Sequence, residues 1–179
     1  MTSADARTDR YPGGFPFGRN QRGADAHRVA PGNENSPRRR RTMSAFTAAE
    51  IVYLQNQRLG RLATVGPDAQ PHVVPVSFRY NPTHEVIEIG GHGGFAKRKK
   101  YRDIIRNPRV AFVVDDVPSV NPWTARVVEI RGHAEVVATG GTEIGPGFDP
   151  EMIRIRPKRI VSWGLDTHWS AAPHARTVA

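Results

Sequence analysis

The chain has 179 residues, with 26 basic and 17 acidic side chains, a formal charge of +9 and no cysteine. The missing thiols exclude disulfides, thiolate metal centres and cysteine nucleophiles. No apolar run approaches the roughly 18–20 residues that span a bilayer. The charge is unevenly placed: residues 1–42 carry nine arginines against Asp5, Asp9, Asp25 and Glu34, a net of +5, and the other +4 is spread over 137 residues. Polyanion binding needs charge clustered on a folded face, so nucleic acid is not the expected partner. With no apolar signal core at the N-terminus, a cytoplasmic protein is predicted.

Residues 1–42 are rich in Arg, Gly, Pro and Asn, with almost no aliphatic periodicity. Such a segment buries too little apolar surface to offset the entropy of ordering it, so a disordered extension is predicted. The domain expected to fold runs over 43–166, opening at Met43, and 167–179 form a weakly patterned tail. Thr47-Ala48-Ala49-Glu50 has capping-box spacing, which predicts a helix over 47–57. The period then becomes that of strands. Residues 58–65 and 71–80, separated by Gly-Pro-Asp-Ala-Gln, read as a hairpin. After the turn 81–84, residues 85–90 alternate charge with isoleucine, as a half-buried strand does. Strands follow at 109–116 and 125–139, the latter with Gly132 as a bend, and a last pair of short strands at 151–164. Six or seven strands joined mostly by short turns, with two helices, predict a mainly β fold, a small barrel with flanking helices.

The stretch 90–116, GGHGGFAKRKKYRDIIRNPRVAFVVDD, admits three readings. Gly91-His92-Gly93-Gly94-Phe95-Ala96 matches the dinucleotide pattern G-x-G-x-x-A, with Asp115 and Asp116 about 20 residues on. That pattern requires parallel strands and crossover helices, and the surrounding hairpins are antiparallel. A Walker loop is absent. The second reading, a basic polyanion face, fails on a helical wheel. Tyr101, Ile104 and Ile105 define an apolar stripe, Lys97 falls near its centre, Arg98 and Lys100 on its margins, and Lys99, Arg102, Asp103 and Arg106 opposite. The third reading is a phosphate-bearing cofactor held at the helix start by Lys100, whose stem is buried beside the stripe.

The segments RLGRLATVGPDAQPHVVPVSFRY, KKYRDIIRNPRVAFVVDD, EIRGHAEV and IRIRPKRIVSWG, in this order over about 44–166, resemble the pyridoxamine phosphate oxidase-like split-barrel superfamily, in particular its branch using the deazaflavin coenzyme F420. The resemblance implies a split β-barrel, FMN-binding-like fold and a homodimer with two cofactor sites at its interface. It implies that the lysine eight positions before the Pro of Asn-Pro-Arg-Val, here Lys100, binds the cofactor phosphate. It implies that Val74, Pro75, Val76 and Ser77 line the ring system, and that Gly90, Gly91 and His92 approach the ring edge or the phosphate. Trp163 resembles the C-terminal tryptophan of this branch and is expected near the cofactor, from a second subunit. Flavin-binding relatives carry a hydroxyl just ahead of the lysine; here Ala96, Lys97, Arg98 and Lys99 stand there. The added positive charge, Arg98 included, suits the longer anionic tail of F420 better than FMN.

No paired carboxylates, Ser-His-Asp set or metal-ligand cluster stands out, which fits an enzyme whose chemistry belongs to its cofactor. The expectation is an F420-dependent oxidoreductase acting on an unsaturated small molecule. The alternatives are an FMN-binding protein of the same superfamily and a non-catalytic F420 or flavin carrier. A nucleic-acid module using the tail stands behind both.

Overall fold

The computed structural model describes residues 44–166, 168 and 170–178. The expectation for the arginine-rich segment 1–42 therefore lies outside the described residues. The first element among the described residues is α1 (Ala48–Asn56), where the capping box forms: Thr47 Oγ1 accepts the Glu50 N–H at 3.2 Å, and Glu50 Oε2 accepts the Thr47 N–H at 2.9 Å. Strands follow as β1 (Leu59–Val65), β2 (Pro71–Ser77), β3 (Arg79–Asn81) and β4 (Val86–Ile89). A short 3-10 turn at Phe95–Lys97 leads into α2 (Lys99–Arg106). Then come β5 (Arg109–Val120), β6 (Trp123–Val137), β7 (Met152–Trp163) and β8 (His174–Thr177).

All pairings are antiparallel, in the order β2-β1-β5-β6-β7-β4-β3, with β8 added on β7. The two end strands of this order, β2 and β3, are joined through Phe78, so the sheet curls back on itself as the expected split barrel. Its inside is filled by Leu62, Phe112, Val114, Val128, Ile130, Ile153, Ile155 and Ile160, with Ile87 and Ile89 from β4, all buried. Burial of a side chain of this kind contributes about 1.5–3 kcal/mol.

Several local expectations change. The stretch 71–80 is two strands, because the chain passes from one end of the sheet to the other at Phe78. Residues 151–164 form one continuous twelve-residue strand rather than a short pair. Gly132 does sit at an irregularity: the β6–β7 register shifts between Arg131 and Gly132, and a Cβ there would lie 2.1 Å from the Arg156 carbonyl oxygen. Glu88 is not on a solvent face but 1 % exposed. It lies between cross-strand partners and accepts from Arg79 Nε at 2.8 Å, Arg154 Nη2 at 3.1 Å and Asn81 Nδ2 at 3.1 Å.

Candidate functional site

The start of α2 is reached through a bend that needs glycine. Gly94 has φ of +80°, a left-handed conformation open to glycine at little steric cost, and it caps the 3-10 turn. Arg98 is extended, with φ −73° and ψ 149°, so the phase of the turn is not carried into α2. That break shifts the wheel. Tyr101 and Ile104 are buried as expected, but Ile105 is 63 % exposed and Asp103 only 3 %. Lys97, predicted near the stripe's centre, is exposed.

Asp103 tolerates burial because it is paired. Its Oδ2 accepts from Lys99 Nζ at 2.8 Å and from Thr64 Oγ1 at 3.0 Å. Burial pushes the Asp103 carboxyl up, but the bonds from Lys99 and Thr64 outweigh this and hold it below its ordinary value. Lys99, expected to face water alone, is thus tied to the sheet.

Lys100 differs. It is half-buried, its Nζ stands 5.1 Å from the centroid of the buried Phe95 ring, and it forms no ion pair among the described residues. Burial, followed by repulsion from Arg98, holds Lys100 below the ordinary lysine range. Arg98 Nη2 donates to the His92 and Gly93 carbonyls at 3.2 and 3.3 Å, which fixes the guanidinium over the bend. Two cations thus lie at the start of an eight-residue helix, the end whose dipole favours an anion. A half-buried ammonium without a counter-charge, beside a fixed guanidinium, fits a phosphate. The residues present suit a cofactor that bears one.

The other expected site residues fall in different places. Gly90 and Gly91 face the chain's own aromatic rings: a Cβ at Gly90 would meet Phe148 Cδ2 at 2.4 Å, and one at Gly91 would meet Phe95 Cδ2 at 2.3 Å. His92 is held by the loop before β7, its Nδ1 2.8 Å from the Gly147 oxygen and its ring edge-on to Phe148. The N–H of Phe95 already donates to Asp149 Oδ2 at 2.6 Å, so an anion at this corner meets the N–H groups of α2 rather than those of the 3-10 turn. On β2, Val74 and Val76 turn toward the core, while Pro75 and Ser77 are exposed. Among the described residues β2 is an end strand paired with β1 alone, which leaves alternate backbone N–H and C=O groups facing outward.

Trp163 ends β7, whereas α2 lies by the start of that strand, where Glu151 adjoins Tyr101. At about 3.3 Å per residue, roughly 36 Å of strand contour separates the two ends. Trp163 and the start of α2 therefore lie toward opposite ends of β7.

A constellation that no spacing announced lies by α1. Asp116, read from sequence as a strand end, is a hub: Oδ1 accepts from Tyr53 Oη at 3.1 Å and Arg126 Nε at 3.0 Å, and Oδ2 from Gln57 Nε2 at 3.1 Å and from Arg126 Nη2. The Arg126 bonds hold the Asp116 carboxyl below its ordinary value, and burial with the Asp116 charge pushes the Tyr53 hydroxyl up. Its only local signal is Tyr53 and Gln57 one helical turn apart.

Comparison with known proteins matches this architecture. Residues 47–163 fit the family model described as pyridoxamine 5'-phosphate oxidase. The chain is 48 % identical over 133 residues to the 5a,11a-dehydrotetracycline/5a,11a-dehydrooxytetracycline reductase of Streptomyces rimosus, covering 74 % of this chain and 93 % of that one. Among solved structures, a conserved hypothetical protein from Mycobacterium tuberculosis superposes with a TM-score of 0.52 at 26 % identity, covering 74 % of this chain and 96 % of that one. An FAD binding protein from Mycobacterium smegmatis, at 22 % identity, TM-score 0.50 and coverages of 65 % and 93 %, shares the fold. No helix among the described residues is long and apolar enough to cross a membrane. The chain belongs to the pyridoxamine 5'-phosphate oxidase family and is an oxidoreductase.

Proposed function

We propose that this chain is a cytoplasmic F420-dependent reductase of an unsaturated small molecule, working as a homodimer. The observation that carries the reading is Lys100, a half-buried cation that forms no ion pair among the described residues and is flanked by Arg98 at the start of α2. In this reading Lys100 and Arg98 hold the cofactor phosphate, and the outward backbone groups of β2 between Val74 and Ser77 orient the ring system. Gly90, Gly91 and His92 shape the corner from behind by seating Phe148 and Phe95. With F420 bound, the chemistry supplied is two-electron hydride transfer to an activated double bond.

The placement of Trp163 and Lys100 toward opposite ends of β7 supports the homodimer. In this reading Trp163 meets the cofactor on Lys100 from a second copy, where its indole excludes water from the ring. The sheet face carrying Leu59, Ala63, Val73, Ala111 and Val113 is the surface proposed for that contact. Leu59 and Val73 are exposed on it, with cross-strand partners Ala63↔Val73 and Ala63↔Ala111. The activity in the name of the Streptomyces relative supports a polycyclic enone of the dehydrotetracycline type as substrate.

FMN is the second reading, favoured by the family that the chain matches. The test is oxidation of reduced F420 by purified protein with a dehydrotetracycline-type enone, followed at the F420 absorbance band. Turnover is expected. Saturable F420 binding without turnover on any enone leaves a carrier, and turnover with FMN alone replaces the cofactor.

A further inference from the structure

We infer that the cavity beside α1 is a binding site for a flat, mainly apolar molecule carrying a carbonyl or enolate oxygen next to a hydroxyl. The cavity has a volume of about 480 Å³, within the range of small-molecule sites. One wall is apolar, built from Ala48, Val52 and Leu165, and Val52 is 59 % exposed on it. A side chain of that type, left open on a helix whose other face packs in the core, is surface that a flat ring covers.

The opposite wall is polar and oriented. Arg126 spends Nε and one N–H of Nη2 on Asp116, and its guanidinium lies over the Tyr53 ring at 5.2 Å. Of its five N–H donors, those on Nη1 are left for a ligand. Gln57 donates its Nε2 to Asp116 at 3.1 Å, and Asn56 donates its Nδ2 to the Val52 carbonyl at 2.7 Å. Both amides therefore present their oxygens as acceptors. Among the described residues no carboxylate lines the cavity, Asp116 included. A fixed donor beside two acceptors matches an accepting oxygen next to a hydroxyl, as in a β-keto-enol or an ortho-hydroxy aryl carbonyl.

A smaller cavity of about 280 Å³ shares Ala49 and Leu165 with this one and is lined by Trp163. The α1 cavity thus neighbours the cavity lined by the indole that the dimer reading turns to the cofactor. That the ligand is the substrate rests on the reductase reading; that the cavity binds it does not.

The test is a fluorescence titration of the full chain with 1-hydroxy-2-naphthoate, without cofactor. Saturable binding of one probe per chain is expected. Arg126→Gln weakens it about tenfold, the size of one charge-assisted hydrogen bond, and 2-naphthoate, lacking the hydroxyl, binds several-fold more weakly. Because Arg126 also braces Asp116, the exposed Val52→Glu serves as a second variant. It leaves the thermal midpoint unchanged and weakens the probe about tenfold or more. Equal binding by the wild type and both variants, or no saturation at millimolar probe, overturns the proposal. F420 is titrated on the same proteins. Probe binding without F420 binding keeps the site and removes the F420 reading, while F420 binding without probe binding does the reverse.

Discussion

Lys99 and Lys100 are neighbours with opposite circumstances: Lys99 Nζ lies 2.8 Å from Asp103 Oδ2, while Lys100 Nζ stands 5.1 Å from the Phe95 ring centroid and forms no ion pair among the described residues. The first lysine serves the fold, and the second is available to a ligand. Substitution separates them. Asp103→Asn removes the charged acceptor of Thr64 and Lys99 and lowers unfolding free energy by about 1–2 kcal/mol. Lys99→Met, at a lysine nearly half exposed, costs less than about 1 kcal/mol. Urea unfolding followed by circular dichroism reads both, and a larger loss for Lys99→Met than for Asp103→Asn contradicts the assignment.

The C-terminal strand is predicted to be needed for stability. Arg176 on β8 reaches the fully buried Glu50, its Nη1 2.8 Å from Oε1 and its Nη2 on Oε2, and Ser162 Oγ donates to the same carboxylate at 2.7 Å. Arg176→Met leaves that carboxylate buried without its counter-charge, at a cost of about 3 kcal/mol. The thermal midpoint falls by several degrees, and deletion of 174–178 falls at least as far.

Acid sensitivity follows from three buried carboxyls. In Glu50, Glu88 and Asp103 burial pushes the pKa up, but hydrogen bonds from Arg176, from Arg79 and Arg154, and from Lys99 outweigh it and leave the folded value below the ordinary one. A carboxyl lowered in the folded state contributes stability above its unfolded pKa, near 4, and loses it as pH falls through the folded pKa. The urea midpoint is therefore level from about pH 7 to 5 and drops below about pH 4.5. Glu50→Gln flattens that drop while lowering the plateau. A midpoint that rises on acidification contradicts the assignment.

The glycines of the bend are predicted to act on the site indirectly. Gly91→Ala forces a Cβ to 2.3 Å from the Phe95 ring, whose face carries Lys100. Overpacking of this kind costs about 1–3 kcal/mol. Cofactor affinity is expected to fall with stability in Gly91→Ala, and to fall without loss of stability in Arg98→Ala, whose guanidinium is exposed. Paired melting and binding curves distinguish the two.

Local signals in the sequence were read correctly where a rule operates within a few residues. The capping box at Thr47 and Glu50 is one case, and the Gly132 irregularity is another. Signals that depend on distant partners were not legible. Residues 151–164 read as a pair of short strands, yet they form one strand in which Pro157 sits opposite Gly132 at the register shift, where a residue without an N–H is tolerated. Glu88 alternates with isoleucine like a surface residue, and only cross-strand pairing with Arg79 and Arg154 explains its burial. The same holds at the site. The spacing of Lys100 before Asn107-Pro108 is local and visible, but the Phe95 ring beneath it and the Asp149 carboxylate that claims the Phe95 N–H arrive through the fold. The Asp116 hub joins residues from α1, β5 and β6, which no linear motif connects.

The central claim is tested most directly by titrating F420 and FMN, in parallel, against the wild-type chain and Lys100→Ala. The account predicts saturable F420 binding by the wild type, weaker FMN binding, and at least a tenfold loss of F420 affinity in Lys100→Ala with the thermal midpoint unchanged, since Lys100 forms no ion pair among the described residues. Full-strength F420 binding by Lys100→Ala contradicts it.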